Sequence, residues 1–392
     1  MTPVELSRTV LRAVRRAVDE GELSVAVPAR AVVTPPGPGG WGDYATNIAL
    51  QLARPAGRPS LQVAEVLRPY LARAEGVSGV EITGPGFLNI ALGSAASGGV
   101  VRRILRDGSR YGHSDALAGR VVHLHAPREV RALVVLDAVA RLLRSQGAVV
   151  RTSCDDRPAP EWEAVLGVHV DAQGDPIAPD DSGNSADSPD SASDAGSDAH
   201  TSSNHNAPVT LRPTPAPTTP LPLARDAARW ALLYPAPHDR PRLTPDHLVQ
   251  RESNPLFRVR YAHARTRALT RNAADLGFTA DPADTDGTTD VDVTTHAHAT
   301  PPTAATTPTL LTTLADHPRI LATAATHHAP DRLARHLVSV ADAVLPLLPT
   351  VLPRGAEKPS AAHRARLALA EAAGTVLAGG LSLLGIDAPE HL

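Results

Sequence analysis

The sequence predicts a multidomain α+β protein: a small α/β module, a βαβ unit cut short, and an all-α bundle toward the C-terminal end. Three observations carry this. Residues 3–92 mix helical periodicity with short strand-like runs. Residues 121–152 read strand, helix, strand. From residue 222 onward only helical periodicity recurs, interrupted by a stretch rich in Thr, Asp and Pro.

The elements follow in order. Leu6, Val10, Ala13, Val14, Ala17 and Val18 recur at helical spacing, with Arg8, Arg12, Arg15 and Arg16 on the other faces, so residues 3–20 form an amphipathic helix that Gly21 ends. A second helix is expected from about Ala45 to Ala53 and a third from Ser60 to Arg73. Gly79–Ile82 and Phe87–Leu92 read as short strands around the turn Gly84-Pro85-Gly86. Val121–His125, Val130–Ser145 and Gly147–Thr152 make the βαβ unit, the seed of a parallel sheet. Helices are expected over 222–233, 244–275, 309–327, 330–347 and 359–384. Residues 173–220 and 276–308 hold too little apolar surface to offset ordering entropy and read as disordered linker.

Composition excludes several classes. Of the 38 basic residues only Lys358 is a lysine, so no Gly-Lys pair exists and there is no P-loop. Cys154 is the single cysteine, which rules out a disulfide framework and multi-cysteine metal sites. His123 and His125 alternate on a strand and His296 and His298 lie in linker, but nothing supplies further ligands at fixed spacing, so no metal is expected. No apolar run approaches the ~18–20 residues of a membrane span. The first residues carry no signal-peptide pattern, so the expected location is cytoplasmic, without a membrane partner. Gly37-Pro38-Gly39-Gly40-Trp41-Gly42 fits a dinucleotide fingerprint in letters only: Thr34-Pro35-Pro36 precedes it instead of a strand, and Pro38 removes a backbone donor.

Charge is unevenly spread. Asp171–Asp198 holds eight aspartates and Asp281–Asp292 five, with no basic residue in either; without those thirteen carboxylates the net charge of −3 becomes +10. A basic body fits a nucleic-acid binder and equally fits arginine-rich solvated helix faces.

Motifs decide between them. Gly42-Asp43-Tyr44-Ala45-Thr46-Asn47-Ile48-Ala49 resembles the signature of the N-terminal domain of arginyl-tRNA synthetases, and Gly84-Pro85-Gly86-Phe87-Leu88-Asn89-Ile90 resembles that domain's second signature. Asp226-Ala227-Ala228-Arg229 resembles the motif that names the family's anticodon-binding domain. The run from Asn254 to Arg265 is similar to that domain's most characteristic helix, and Leu384–Leu392 to the family's C-terminus, where a methionine usually stands at Leu392. The resemblance implies residues 1–95 as a tRNA-elbow-type domain, 96–172 as a truncated Rossmann-like remnant, 173–220 as linker and 221–392 as the anticodon-binding helical domain with its insert at 276–308. It implies tRNA contact through Asp43, Tyr44, Asn47 and Phe87 in the first domain. In the last it implies contact through Phe257, Arg258, Arg260, Tyr261, His263, Arg265, Arg267 and Arg271. Asp43 equally suits a helix cap. Arg260, Arg267 and Arg271 share one helix face and Arg258 and Arg265 another, with Phe257 or Tyr261 offering a stacking surface to a splayed base.

The middle of the chain departs from the family. Class I synthetases hold ATP phosphates with a His-x-Gly-His motif and a lysine-bearing loop. Aligning Arg131–Ala138 with the family's first Rossmann helix puts Ala126 and Glu129 in place of the histidines and Arg128 in place of the glycine. His-x-Gly-His occurs nowhere, and Lys358 lies in the wrong domain. Losing one preorganised group of this kind commonly costs ~10²–10³ in rate. The expectation is a non-catalytic paralogue, a pseudoenzyme with no cofactor, that binds tRNA or a tRNA-like RNA, with a genuine synthetase as a further partner. The alternatives are a divergent arginine–tRNA ligase, which would use ATP, and an interaction module that no longer binds RNA.

Overall fold

A computed structural model describes residues 1–37, 41–174, 208–282 and 303–392. The chain divides into two compact units, one of residues 1–113, 249–324 and 332–392, the other of residues 114–248 and 325–331.

The first unit begins with α1 (Pro3–Asp19), started by a capping box: Thr2 Oγ1 accepts from the Glu5 amide and Glu5 Oε2 from the Thr2 amide. Strands β1 (Val33–Thr34) and β2 (Tyr44–Thr46) follow, then α2 (Ile48–Ala56), α3 (Ser60–Ala72), β3 (Val77–Thr83) and β4 (Phe87–Leu92). The strands form an antiparallel sheet in the order β1-β2-β4-β3. Leu6, Val10 and Val14 of α1, Ile48 and Leu52 of α2, Val63, Leu67 and Leu71 of α3, and Leu88 and Ile90 of β4 build its core.

The helix expected from Ala45 starts at Ile48 instead, because Tyr44, Ala45 and Thr46 pair with Ile90, Asn89 and Leu88. The two sequence signatures are therefore hydrogen-bonded neighbours in one sheet. Their glycines are required by that approach: Gly42 has φ +87°, and a Cβ there would lie 2.8 Å from the Ile90 carbonyl oxygen. Gly86, at φ +125°, would meet the Ser60 carbonyl oxygen at 2.9 Å.

A helix the sequence reading did not single out, α4 (Ser94–Asp107), also belongs to this unit, where it packs against the last helix of the chain.

The second unit holds β5 (Val121–Ala126), α5 (Val130–Ser145), β6 (Val149–Cys154), β7 (Ala172–Gln173), β8 (Val209–Thr210) and α6 (Arg225–Leu233). Its sheet is parallel throughout, in the order β7-β6-β5-β8. Helix α6 packs on α5 here, so Asp226-Ala227-Ala228-Arg229 belongs to the parallel-sheet unit and not to the helical bundle. Arg229, fully buried, donates to Asp137 Oδ2 at 2.5 Å and to the Leu166 carbonyl at 2.8 Å.

Back in the first unit, α7 (Pro255–Asp275) and α10 (Ala361–Leu383) pack together, and α8 (Thr303–Thr326) and α9 (Pro330–Val344) lie between them in sequence. The single helix expected over 244–275 is broken: residues 245–248 make a 3-10 turn, and α7 starts afresh at Pro255 behind the cap Asn254. Gly380 lets Leu337 of α9 sit directly on α10, where a Cβ would collide with the Leu337 methyls.

The linker ends need correction. Gln173 lies in β7, and Val209 and Thr210 pair with Leu124 and His125, so neither end of 173–220 is disordered. Phe278 is buried and α8 begins at Thr303, which trims 276–308 from both sides. Composition misses such ends because two-residue strands and single buried anchors are too short to change it. Residues 175–207 and 283–302, with His296 and His298, and the 38–40 part of the glycine motif lie outside the described residues.

Candidate nucleic-acid interface

Helix α7 carries most of the predicted contacts. The Asn254 side chain accepts from the amides of Leu256 at 3.1 Å and Phe257 at 3.5 Å, satisfying donors that a helix start leaves open. Leu256, Val259, Ala262, Thr266 and Leu269 face inward. That fixes the outer face. Phe257 and Tyr261 stack with ring centroids 5.6 Å apart, and Tyr261 is 39% exposed. Arg265 and Arg267 are exposed, and Arg260 and Arg271 are half-buried. Arg258 pairs with Asp342 at 3.2 Å.

The C-terminal segment lies along this face. Arg267 donates to Glu390 Oε1 at 2.9 Å, and Arg271 lies 3.5 Å from Oε2 and 3.4 Å from His391 Nδ1. The Arg267 guanidinium holds the Glu390 carboxyl below its ordinary range. His263 is 4% exposed, and its Nδ1–H donates to the Pro389 carbonyl at 3.0 Å, so it ties down the C-terminal segment. Burial pushes its pKa down.

The first signature is mostly structural as well. Tyr44 is 2% exposed, in the core under the sheet, and burial raises its phenol's pKa. Asp43 does not cap a helix; its Oδ2 accepts from the Leu92 amide at 2.8 Å, and its own amide donates to Ile90. Asn47, at the start of α2, accepts from Gln51 at 2.8 Å. Phe87 remains exposed at the tip of β4. Trp41, which sequence reasoning passed over inside the glycine motif, is 46% exposed and lies over Gly79, where a Cβ would sit 2.7 Å from the indole. The signal for it was there: a large ring beside a glycine two strands away needs the register to be seen.

The parallel-sheet unit shows what stands at the aligned nucleotide positions. Ala126 is buried at the end of β5. Arg128 donates to the Arg157 carbonyl at 2.8 Å and lies over the Trp162 ring. Glu129 caps α5: Oε2 accepts from the Ala132 amide at 2.8 Å and Oε1 from the Ala216 amide at 3.0 Å. A helix N-terminus at the C-terminal edge of a parallel sheet is where a phosphate would bind. Here the Glu129 carboxylate already accepts from one of those amides, that of Ala132. His123 and His125 both hydrogen-bond Ser153 Oγ, at 2.8 and 2.9 Å, and His125 Nε2 lies 2.8 Å from Asp155. Among the described residues no group of three or more side chains could hold a metal ion. Cys154 is buried, which pushes its thiol up. No helix of the described residues is long and apolar enough to cross a membrane.

Comparison with known proteins places this geometry. Residues 5–92 match the arginyl tRNA synthetase N terminal domain, and residues 259–392 match the DALR anticodon binding domain. The arginine–tRNA ligase of Renibacterium salmoninarum is 46% identical over 164 residues, which is 38% of this chain and 30% of that protein. That of Frankia alni is 40% identical over 157 residues, 38% of this chain and 28% of that protein. The matched part of the chain thus spans less than a third of these relatives' length. The fold is similar to that of the arginyl-tRNA synthetase of Thermus thermophilus, with a TM-score of 0.64 at 16% identity and 100% of both chains covered. It is equally similar to that of Plasmodium falciparum, with a TM-score of 0.64 at 8% identity, covering 100% of this chain and 99% of that one.

Proposed function

We propose that this chain, residues 5–92 and 259–392 of which match the arginyl tRNA synthetase N terminal domain and the DALR anticodon binding domain, is a member of the arginyl-tRNA synthetase family that binds tRNA and does not form an aminoacyl adenylate. Its site of action is the cytoplasm, and no cofactor takes part.

The observation that carries the reading is Glu129. Its two oxygens hold the Ala132 and Ala216 amides at the α5 N-terminus, so an incoming triphosphate would meet a carboxylate instead of open N–H donors. No lysine stands in reserve, since Lys358 is the only one in the chain. Arginine–ATP pyrophosphate exchange tests this directly. The expected result is no exchange above a heat-inactivated control, with protein free of host synthetase. Exchange dependent on arginine and ATP would make the chain a ligase, as its relatives are named.

RNA binding is supported by the arginine face of α7 beside the stacked Phe257 and Tyr261. Each neutralised phosphate releases counterions, so tRNA affinity is expected to fall steeply with salt. Arg265→Glu with Arg267→Glu reverses two exposed charges without touching the core. Binding should weaken by more than about tenfold, and the salt slope should flatten by about 0.7–0.9 for each phosphate that is no longer neutralised. The same change at Arg12 and Arg16 of α1 should matter less. A filter-binding titration at several salt concentrations reads both. Absence of tRNA binding at low ionic strength would leave the interaction-module reading.

A further inference from the structure

The carboxylate on the arginine face of α7 is delivered there by the fold. After α10 the chain turns at Gly385, φ +70°, and the Ile386 amide donates back to the Leu381 carbonyl at 3.0 Å. Ile386 is 2% exposed and anchors the turn. Three residues on, the Pro389 carbonyl accepts from His263 of α7. These two anchors set Glu390 down beside the helix.

Glu390 meets two guanidiniums at once. Arg267 and Arg271, four positions apart, share a helix face and take its two oxygens separately. Arg267 donates to Oε1 from Nε at 3.2 Å and from Nη2 at 2.9 Å, and Arg271 Nη1 lies 3.5 Å from Oε2. All three side chains stay open to solvent, with Arg267 48%, Arg271 41% and Glu390 52% exposed. Guanidinium forks match carboxylate and phosphate oxygens alike. A phosphate reaching this face needs the positions that Glu390 fills.

A second carboxylate repeats the pattern. Asp342 of α9 pairs with Arg258 at 3.2 Å. Arg258, Arg267 and Arg271 thus each face an acidic side chain from outside α7, so much of the helix's charge is already neutralised within the chain.

We infer that Glu390 is an intrachain competitor for a phosphate site formed by Arg267 and Arg271, and that an RNA phosphate displaces it on binding. The inference rests on the RNA-binding reading for its occupant. It gives the C-terminal segment a regulatory part, because affinity depends on how firmly the carboxylate holds. An exposed pair of this kind holds by a factor of about five at most, so the restraint is graded and does not close the face.

Glu390→Gln, a surface change, tests it. Inorganic tripolyphosphate, titrated by calorimetry into the full chain at low salt, should bind the variant about threefold or more tighter than the unaltered chain. tRNA should bind it about three- to tenfold tighter, and by a smaller margin as salt rises. In a chain already carrying Arg267→Ala and Arg271→Ala, Glu390→Gln should change neither affinity. Asp275→Asn removes one charge from an exposed residue four positions beyond Arg271 and should shift either affinity by less than about twofold. Equal tightening by Asp275→Asn would reduce the effect to net charge and overturn the inference. Unchanged or weaker binding by Glu390→Gln would make Glu390 a brace for the arginines and overturn it too, as would no saturable tripolyphosphate binding by that variant. If neither chain binds tRNA while tripolyphosphate behaves as expected, the RNA-binding reading fails and the competitor stands.

Discussion

Arg131→Met is expected to destabilise the parallel-sheet unit by about 3–5 kcal/mol. The guanidinium is fully buried and donates to five backbone carbonyls: Leu232 at 3.0 Å, Thr214 and Asp239 each at 2.7 Å, Pro235 at 3.1 Å and Ala236 at 2.9 Å. One of these carbonyls, Leu232, lies in the last turn of α6, and the others lie in the segments that follow β8 and α6. Methionine fills much of the volume but removes the five donated hydrogen bonds; the Ala236 carbonyl keeps the Asp239 amide at 2.9 Å, and the others lose the guanidinium, which is what makes the loss large. Burial lowers the arginine's pKa while Glu129, Asp239 and Asp331 oppose the shift, so it stays charged across the working range. A thermal melt should show the transition of this unit lowered by on the order of 10 °C. A change of only a degree or two would mean that water replaces the guanidinium and that the network is not what holds 211–240 in place.

Arg131 also shows where the sequence was readable and where it was not. Within residues 3–92, α1, α3, β3 and β4 come out close to their true bounds, because they follow simple periodicity and glycine turns, whereas α4 goes unread and α7 starts eleven residues later than expected. The exception, 44–46, reads as helix on local pattern and becomes strand only because β4 lies beside it. The pairing of distant segments is invisible to a window of ten residues. The same limit hid the roles of charged residues. Arg131 and Arg229 look like surface arginines of amphipathic helices, yet both are fully buried and satisfied by residues more than sixty positions away. His263, inside a basic motif, reads as a contact residue, but Pro389, at the other end of the domain, claims it. Glu129 reads from the sequence as a misfit to the family's first motif, while its capping of α5 and its grip on Ala216 need the fold. The identity of a residue is legible in one dimension; what it holds is not.

A buried histidine pair sets the second large expectation, a loss of stability in mild acid. His317 and His336 stack at 5.2 Å between centroids, Tyr111 stacks on His317 at 5.8 Å, and its hydroxyl donates to the Leu314 carbonyl at 3.2 Å. The groups around them are His113, Asp316 and Arg319. His317 is held well below its ordinary pKa by burial and by its cationic neighbours once they protonate. His336 is lowered to about 4, mainly by burial, with Asp316 opposing and Arg319 reinforcing the shift. Because the folded pKa lies below the unfolded value near 6.5, the unfolded chain takes up the protons first. Stability is therefore full above pH 6.5 and falls as the pH drops toward the folded pKa. For His336 the loss is about 2 kcal/mol by pH 5 and about 3 kcal/mol by pH 4, and His317 adds to it in the same direction. Urea unfolding at pH 7.5 and pH 5 measures this. His317→Phe with His336→Phe keeps the ring stack and removes both titrations, so it should flatten the slope between these pH values. His263 and His113 are lowered as well and will leave a residual slope in the variant. An unchanged slope would show that the pair opens to water on protonation without unfolding the helices around it.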